Sequence, residues 1–133
     1  MDRLFLDANV LFSAAYRPRA GLLKLWKLNN AQLCSSRYAL EEARINLAEE
    51  SQRERLARLS THLELFEAGP EELVPGVDLP AKDVPILLAA MAARATHLLT
   101  GDVRHFGQFL GRRIAGILVL LPGEYLKRVA EGR

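Results

Sequence analysis

The chain has 133 residues, a length that supports one domain with a substantial core, and we expect a single domain over residues 1–133. Half of the residues are hydrophobic and 26% are charged, which excludes a disordered or low-complexity chain. The net charge of +2 permits a polyanionic partner without requiring one. The single cysteine, Cys34, excludes an internal disulfide and is predicted to be a buried packing residue.

Strand-like and helix-like patterns alternate along the chain, which predicts a parallel sheet with helices on its faces. Strands are predicted at residues 4–6, 32–35, 64–67, 96–100 and 116–120. Helices are predicted at residues 20–28, 38–49, 52–63, 84–94 and 122–130. Residues 69–80, with three prolines and two glycines, form the longest predicted loop.

The sequence predicts a cytoplasmic protein without membrane association. Asp7 interrupts the only apolar run near the N-terminus, so no secretory signal is recognisable. No segment approaches the roughly 18 consecutive apolar residues of a membrane helix.

Acidic residues stand at the ends of several predicted elements. Asp7 follows the first strand and Asp102 follows the fourth. Because neighbouring parallel strands open on one crevice at their carboxyl ends, we expect these two side chains to converge. Asp83, before the predicted helix 84–94, and one acid of the Glu41–Glu42 pair would reach the same edge. Such crowding of carboxylates requires a cation.

Each acid also has a purely structural interpretation. Asp7 and Asp83 could cap helices that begin at the next residue, because Asp is favoured at that position. Asp102 lies in a turn-like Thr-Gly-Asp sequence, and the Glu pair could be a solvated helix face. The joint pattern favours a metal site over these separate explanations.

The ligand types indicate Mg²⁺ or Mn²⁺. All-oxygen coordination suits these ions, and they suit phosphate substrates that complete their coordination shell, so phosphodiester hydrolysis fits best. The three histidines, His62, His97 and His105, are separated by whole elements, which argues against zinc.

Several motifs resemble those of the PIN domains, a family of metal-dependent ribonucleases. Leu-Asp7-Ala-Asn9 is similar to the first motif, and residues 36–47 resemble the second, in which a helical Glu follows a serine. The spacing from that serine favours Glu42 over Glu41, although helical periodicity leaves the choice open. Residues 83–102, from Asp83 to Thr-Gly-Asp102, resemble the third and fourth motifs in register.

The resemblance implies a three-layer α/β/α sandwich with a central, mainly parallel five-stranded sheet. It implies an Mg²⁺- or Mn²⁺-dependent endoribonuclease in which Asp7, Glu42, Asp83 and Asp102 bind metal and serve catalysis, supported by Asn9 and Thr100. It further implies either a toxin of a toxin–antitoxin pair or a small stand-alone RNA-processing nuclease. The partners would be an RNA substrate, a cognate antitoxin protein and a second copy in a homodimer.

Basic residues near the predicted site are candidates for binding RNA phosphates. They are Arg17, Arg37, Lys82, Arg104 and His105, although for each of them a solvated surface position is the favoured interpretation. Tyr16 and Trp26 could stack on a base, although the apolar spacing around Trp26 favours packing.

Rival functions lose on specific residues. A haloacid-dehalogenase-like phosphotransferase needs a second Asp where this chain has Asn9. A response-regulator-like module needs a paired acid near the first strand and a Lys after strand five, where Leu121-Pro122-Gly123 stands. The remaining alternative is a non-catalytic PIN-like module that binds RNA or protein.

Overall fold

Six strands and six α-helices form in residues 1–69 and 76–132, the part of the chain that the computed structural model describes. The strands are β1 (Asp2–Leu6), β2 (Ala31–Ser35), β3 (Glu64–Leu65), β4 (His97–Leu99), β5 (Arg113–Ile114) and β6 (Ile117–Leu120). The α-helices are α1 (Ala8–Ala15), α2 (Arg37–Asn46), α3 (Glu50–Ser60), α4 (Val84–Ala92), α5 (Val103–Phe106) and α6 (Pro122–Ala130). Two 3₁₀ helices span Gly21–Lys27 and Gly107–Phe109.

The strands form one sheet in the order β3-β2-β1-β4-β6-β5, flanked by helices. All pairs are parallel except β5 with β6, so the predicted α/β class with a mainly parallel sheet is confirmed. The strand count of five is wrong, because β5 adds a sixth. The turn between β5 and β6 contains Ala115 (φ 51°) and Gly116 (φ 81°), two positive-φ residues typical of a tight hairpin. Gly116 therefore lies in this turn and does not begin the strand.

The core is built around β1, which lies between β2 and β4. Leu4, Phe5 and Leu6 are fully buried, as expected for a parallel strand covered on both faces. Each such side chain contributes roughly 1.5–3 kcal/mol of hydrophobic stabilisation. Cys34 is buried as predicted. Trp26 packs against the core and its Nε1 donates to the Leu59 carbonyl oxygen at 3.1 Å, in agreement with the packing interpretation.

Several helix bounds differ from the prediction for local reasons. The predicted helix 20–28 is the 3₁₀ helix Gly21–Lys27. The predicted helix 38–49 ends at Asn46, because Glu49 and Gln52 form a reciprocal capping box that begins α3 at Glu50. Helix α1, expected only as an element that Asp7 would cap, spans Ala8–Ala15 and packs against α2 and α3. Of the predicted loop 69–80, residues 70–75 lie outside the described residues.

Within the described ranges, no helix combines the length and apolar character that a membrane crossing requires.

Candidate metal centre

Asp7 leaves the central strand directly beside the end of β4. Leu6 pairs with Leu99 in the sheet, and the Asp7 backbone N–H donates to the Leu99 carbonyl oxygen at 3.1 Å. Its Oδ1 accepts from the Ala8 N–H at 2.7 Å, so the capping interpretation of Asp7 is correct. Its Oδ2 accepts from the Thr100 hydroxyl at 2.8 Å, and the residue is only 3% exposed. Capping therefore uses one carboxylate oxygen, and the other is turned toward β4.

Burial raises the pKa of the Asp7 carboxyl from 3.8 to about 6. The hydrogen bonds from Thr100 and Ala8 lower this pKa, while the charges of Asp83 and Glu42 raise it further. Burial outweighs the hydrogen bonds because removing a carboxylate from water strongly disfavours its charged form. Without a cation, the site therefore destabilises its own ionised carboxylate.

Asn9 ties the exit of β1 to the loop after β4. Its Oδ1 accepts from the Gly101 N–H at 2.7 Å, and its Nδ2 donates to Asp7 Oδ2 at 3.2 Å. The Thr100 hydroxyl oxygen in turn accepts from the Asp102 N–H at 3.0 Å. A Cβ on Gly101 would lie 3.2 Å from Asn9 Oδ1, so the loop fits closely around this amide. Asn9 and Thr100 thus both contact Asp7, and Thr100 also contacts the Asp102 backbone.

Asp83 stands at the start of α4 but does not cap it with its side chain. Its backbone carbonyl accepts the N–H groups of Ile86 and Leu87, and its side chain turns into the site instead. Asp83 therefore occupies the N-cap position of α4 as expected, but its side chain makes no capping hydrogen bond. The residue is 7% exposed, and burial raises its carboxyl pKa, with partial compensation by nearby His105.

Asp102 contacts His105 through both of its carboxylate oxygens. Its Oδ1 accepts from the His105 N–H at 3.0 Å and caps α5, while its Oδ2 lies 2.8 Å from His105 Nδ1. The same imidazole nitrogen lies 2.9 Å from Asp83 Oδ2. His105 is therefore a neighbour of both carboxylates and not a solvated loop residue.

The four predicted acids line one cavity of about 480 Å³. Glu42 lies on this cavity together with Asp7, Asp83 and Asp102. Glu41 points elsewhere and accepts from Arg44 Nε at 2.9 Å. Of the two neighbouring acids, Glu42 and not Glu41 therefore lines this cavity.

The predicted basic residues differ in how close they lie to the acidic cavity. Lys82 lines the acidic cavity. Arg17 lines an adjoining groove with Tyr16 and Phe12, and Phe12 belongs to both depressions. Arg37 is exposed and lies 3.8 Å from a Glu67 carboxylate oxygen, whereas Arg104 is exposed on α5.

Tyr38 was not among the predicted site residues. Its hydroxyl donates to the Lys82 carbonyl oxygen at 2.7 Å and so holds the residue before Asp83. Burial, followed by the charges of Glu42, Asp83 and Asp7, raises its pKa. The available signal was its spacing, since Tyr38 precedes Glu42 by one helical turn on α2.

The donor set fits a divalent cation. The ligand atoms of Asp83, Asp102 and His105 all lie within 4.8 Å of one another. Among residues 1–69 and 76–132, Asp83 Oδ2 is buried with no hydrogen-bond partner of suitable direction. Leaving such an atom unpaired costs about 1–3 kcal/mol, a penalty that a bound cation would remove.

The fold and the site together define an open α/β domain whose carboxylates gather where the parallel strands end, an arrangement suited to divalent metals. A sequence profile of the PIN domain matches residues 3–104. The chain therefore belongs to the PIN-domain family.

Solved structures support the same fold. A chain of VapBC2 from Rickettsia felis, bound to a DNA fragment from its promoter, is 17% identical with a TM-score of 0.66, over 88% of this chain and 96% of that chain. A chain of FitAB bound to an IR36 DNA fragment is 19% identical with a TM-score of 0.54, over 90% and 94% of the respective chains. FitAcB from Neisseria gonorrhoeae is 19% identical with a TM-score of 0.53, over 90% and 98%. Curated proteins gave no match.

Proposed function

We propose that the protein is an Mg²⁺- or Mn²⁺-dependent endoribonuclease that hydrolyses RNA phosphodiester bonds. One observation carries the proposal: Asp7, Glu42, Asp83 and Asp102 line a single cavity at the carboxyl edge of the sheet. Membership of the PIN-domain family supports a nuclease role. In this proposal all four acids hold metal and serve catalysis.

The chain's own contribution is to fix these carboxylates before substrate arrives. Hydrogen bonds from Ala8, Thr100 and Asn9 hold Asp7 in one orientation, so little reorganisation is needed during reaction. Asp102 is fixed in the same way by capping α5. A divalent cation held by these acids would lower the pKa of its water and stabilise charge on the phosphate. No protein nucleophile is needed.

We propose that RNA approaches along the groove that contains Tyr16 and Arg17. Phe12 lines both this groove and the acidic cavity, and Tyr16 is 54% exposed. Arg17 and Lys82 would offset the repulsion between phosphates and the acidic mouth. Arg17→Gln should raise KM several-fold and weaken the salt dependence of binding, with a smaller effect on kcat. Arg58→Gln, at an exposed residue of α3 that does not line this groove, is the matched control.

A cleavage assay on a fluorescent RNA tests the chemistry. Asp7→Asn and Asp102→Asn should each lower cleavage by at least about a hundredfold, and EDTA should remove wild-type activity. Neighbouring acids provide a sharper comparison, because Glu42→Gln should lose activity while Glu41→Gln keeps it. Unchanged cutting by either Asp variant would refute the assignment. Tight RNA binding without any metal-dependent cutting would favour the non-catalytic binding module.

We further propose a toxin of a toxin–antitoxin pair, acting on cytoplasmic RNA as a homodimer, with a small stand-alone processing nuclease as the other form of the same activity. The fold shared with chains of the VapBC2 and FitAB structures supports the toxin form. Expression of the chain should arrest growth, and co-expression of its genomic neighbour should relieve the arrest. Normal growth on expression of an active enzyme would favour the processing nuclease. Light scattering on the purified protein tests the dimer.

A further inference from the structure

His105 places a single imidazole nitrogen between two carboxylates. Its Nδ1 lies 2.9 Å from Asp83 Oδ2 and 2.8 Å from Asp102 Oδ2. The ring is largely buried, with a side-chain exposure of 22%. The first turn of α5 holds it there, because the His105 backbone N–H donates to Asp102 Oδ1 at 3.0 Å. The contact is therefore built into the capped helix.

Two well-directed hydrogen bonds cannot account for both short contacts at once. An imidazole nitrogen carries at most one hydrogen and cannot donate to two carboxylates at full strength. Across the described part of the chain, His105 Nδ1 and Asp83 Oδ2 are both buried without a hydrogen bond of suitable direction, despite the short distances. Asp83 is 7% exposed, so water does not readily substitute. The three atoms therefore lie in close contact, but Asp83 Oδ2 and His105 Nδ1 lack a well-directed hydrogen bond.

The separations are those expected for ligands of one ion. Two ligand atoms that lie about 2.1 Å from a divalent cation at right angles are about 3.0 Å apart. The two distances at His105 Nδ1 agree with that value, and the three ligand atoms fall within 4.8 Å of one another. Two oxygens and one nitrogen thus lie close enough together to coordinate one ion.

We propose that His105 Nδ1 is a metal ligand alongside Asp83 and Asp102, and that this nitrogen makes the centre select Mn²⁺ or another transition-metal ion over Mg²⁺. The inference rests on the proposed function for the existence of the metal site. Imidazole is a good ligand for transition metals, whereas Mg²⁺ strongly prefers oxygen. The acids alone would give all-oxygen coordination, whereas His105 adds a nitrogen ligand. Selectivity then depends on one residue.

Mn²⁺ binding to the purified full chain tests this directly. Pulsed electron paramagnetic resonance of the Mn²⁺-loaded wild type should show ¹⁴N coupling from the imidazole, which should change on labelling with ¹⁵N-histidine. His105→Ala and His105→Gln should lose the coupling and bind Mn²⁺ about tenfold or more weakly. Their Mg²⁺ affinity, measured by competition, should change by less than about threefold. His62→Ala, at an exposed histidine after α3, should match the wild type.

The possible results separate the two proposals. Mn²⁺ bound to wild type without nitrogen coupling, with metal-dependent RNA cleavage intact, overturns the histidine ligand alone. Nitrogen coupling without RNA cleavage supports the ligand and overturns the proposed function. Absence of Mn²⁺ binding at millimolar concentration overturns both. The wild-type spectrum decides the question even if a His105 variant fails to fold.

Discussion

Replacing Asp7 by Asn should stabilise the metal-free protein at neutral pH while it removes a ligand of the proposed metal centre. Asp7 is 3% exposed, and its pKa is raised from 3.8 to about 6. At pH values above 6, the folded state holds a buried charge that the unfolded chain keeps in water. Raising the pKa from 3.8 to about 6 corresponds to about 3 kcal/mol of lost stability at neutral pH. Asn carries no charge and avoids that cost.

The sign follows from proton binding. Between pH 3.8 and about 6 the folded protein holds the Asp7 proton and the unfolded chain has released it. The wild type therefore loses stability as pH rises through this window, and Asp7→Asn does not. Asn also mismatches the donors at Oδ2, where the Thr100 hydroxyl and Asn9 amide point. At about 1 kcal/mol for each hydrogen bond, the net gain at pH 7.5 falls to about 1–2 kcal/mol.

Urea unfolding followed by the fluorescence of the single tryptophan, Trp26, measures this effect. Wild type and Asp7→Asn are compared in EDTA at pH 4 and pH 7.5, with the exposed Asp78→Asn as control. The stability difference between wild type and Asp7→Asn should move by about 2 kcal/mol in favour of Asn across this range, because the unfolded carboxyl is already partly ionised at pH 4. Millimolar Mn²⁺ should then stabilise the wild type and not the variant. A difference that stays constant with pH would refute the reasoning about burial.

Three further substitutions test local contacts. Gly101→Ala should lower the melting temperature and weaken Mn²⁺ binding measured by calorimetry, because its Cβ would lie 3.2 Å from the firmly held Asn9 Oδ1. Trp26→Phe should cost about 1–3 kcal/mol in urea unfolding followed by circular dichroism, since it removes the indole hydrogen bond to the Leu59 carbonyl oxygen and leaves a gap beside the core. Tyr125→Phe should cost about 1.5–3 kcal/mol in the same assay, because the Tyr125 hydroxyl donates to the Asp2 carboxylate. No loss of stability in any one of these variants would contradict the corresponding contact.

The convergence of Asp7 and Asp102 could be predicted because it follows from topology. Both residues follow apolar strands, and parallel neighbours open on one edge. The choice between Glu41 and Glu42 could not be predicted from periodicity, because it depends on how α2 packs against α1. In the structure Glu42 lines the cavity and Glu41 pairs with Arg44.

The environment of His105 was underestimated for a similar reason. Its nearness to Asp102 follows from their spacing, but its contact with Asp83 depends on how the start of α4 meets α5 in space. Strand β5 was not predicted because a strand of two residues shows no periodicity. In addition, Ala115 adopts a positive φ in the turn that follows, a conformation that an alanine does not indicate.

The contact between Asp7 and Thr100 joins residues 93 positions apart in the chain. Closing so long a loop is entropically costly, and sheets with distant partners form slowly. During synthesis the ribosome releases Asp7 well before β4 exists to lie beside it. A nascent chain shorter than this separation can pair β1 with β2 but lacks β4, the strand that leads to Asp102. Under the proposed function, the translating cell meets no competent nuclease until β4 has emerged, so the order of synthesis itself delays the activity.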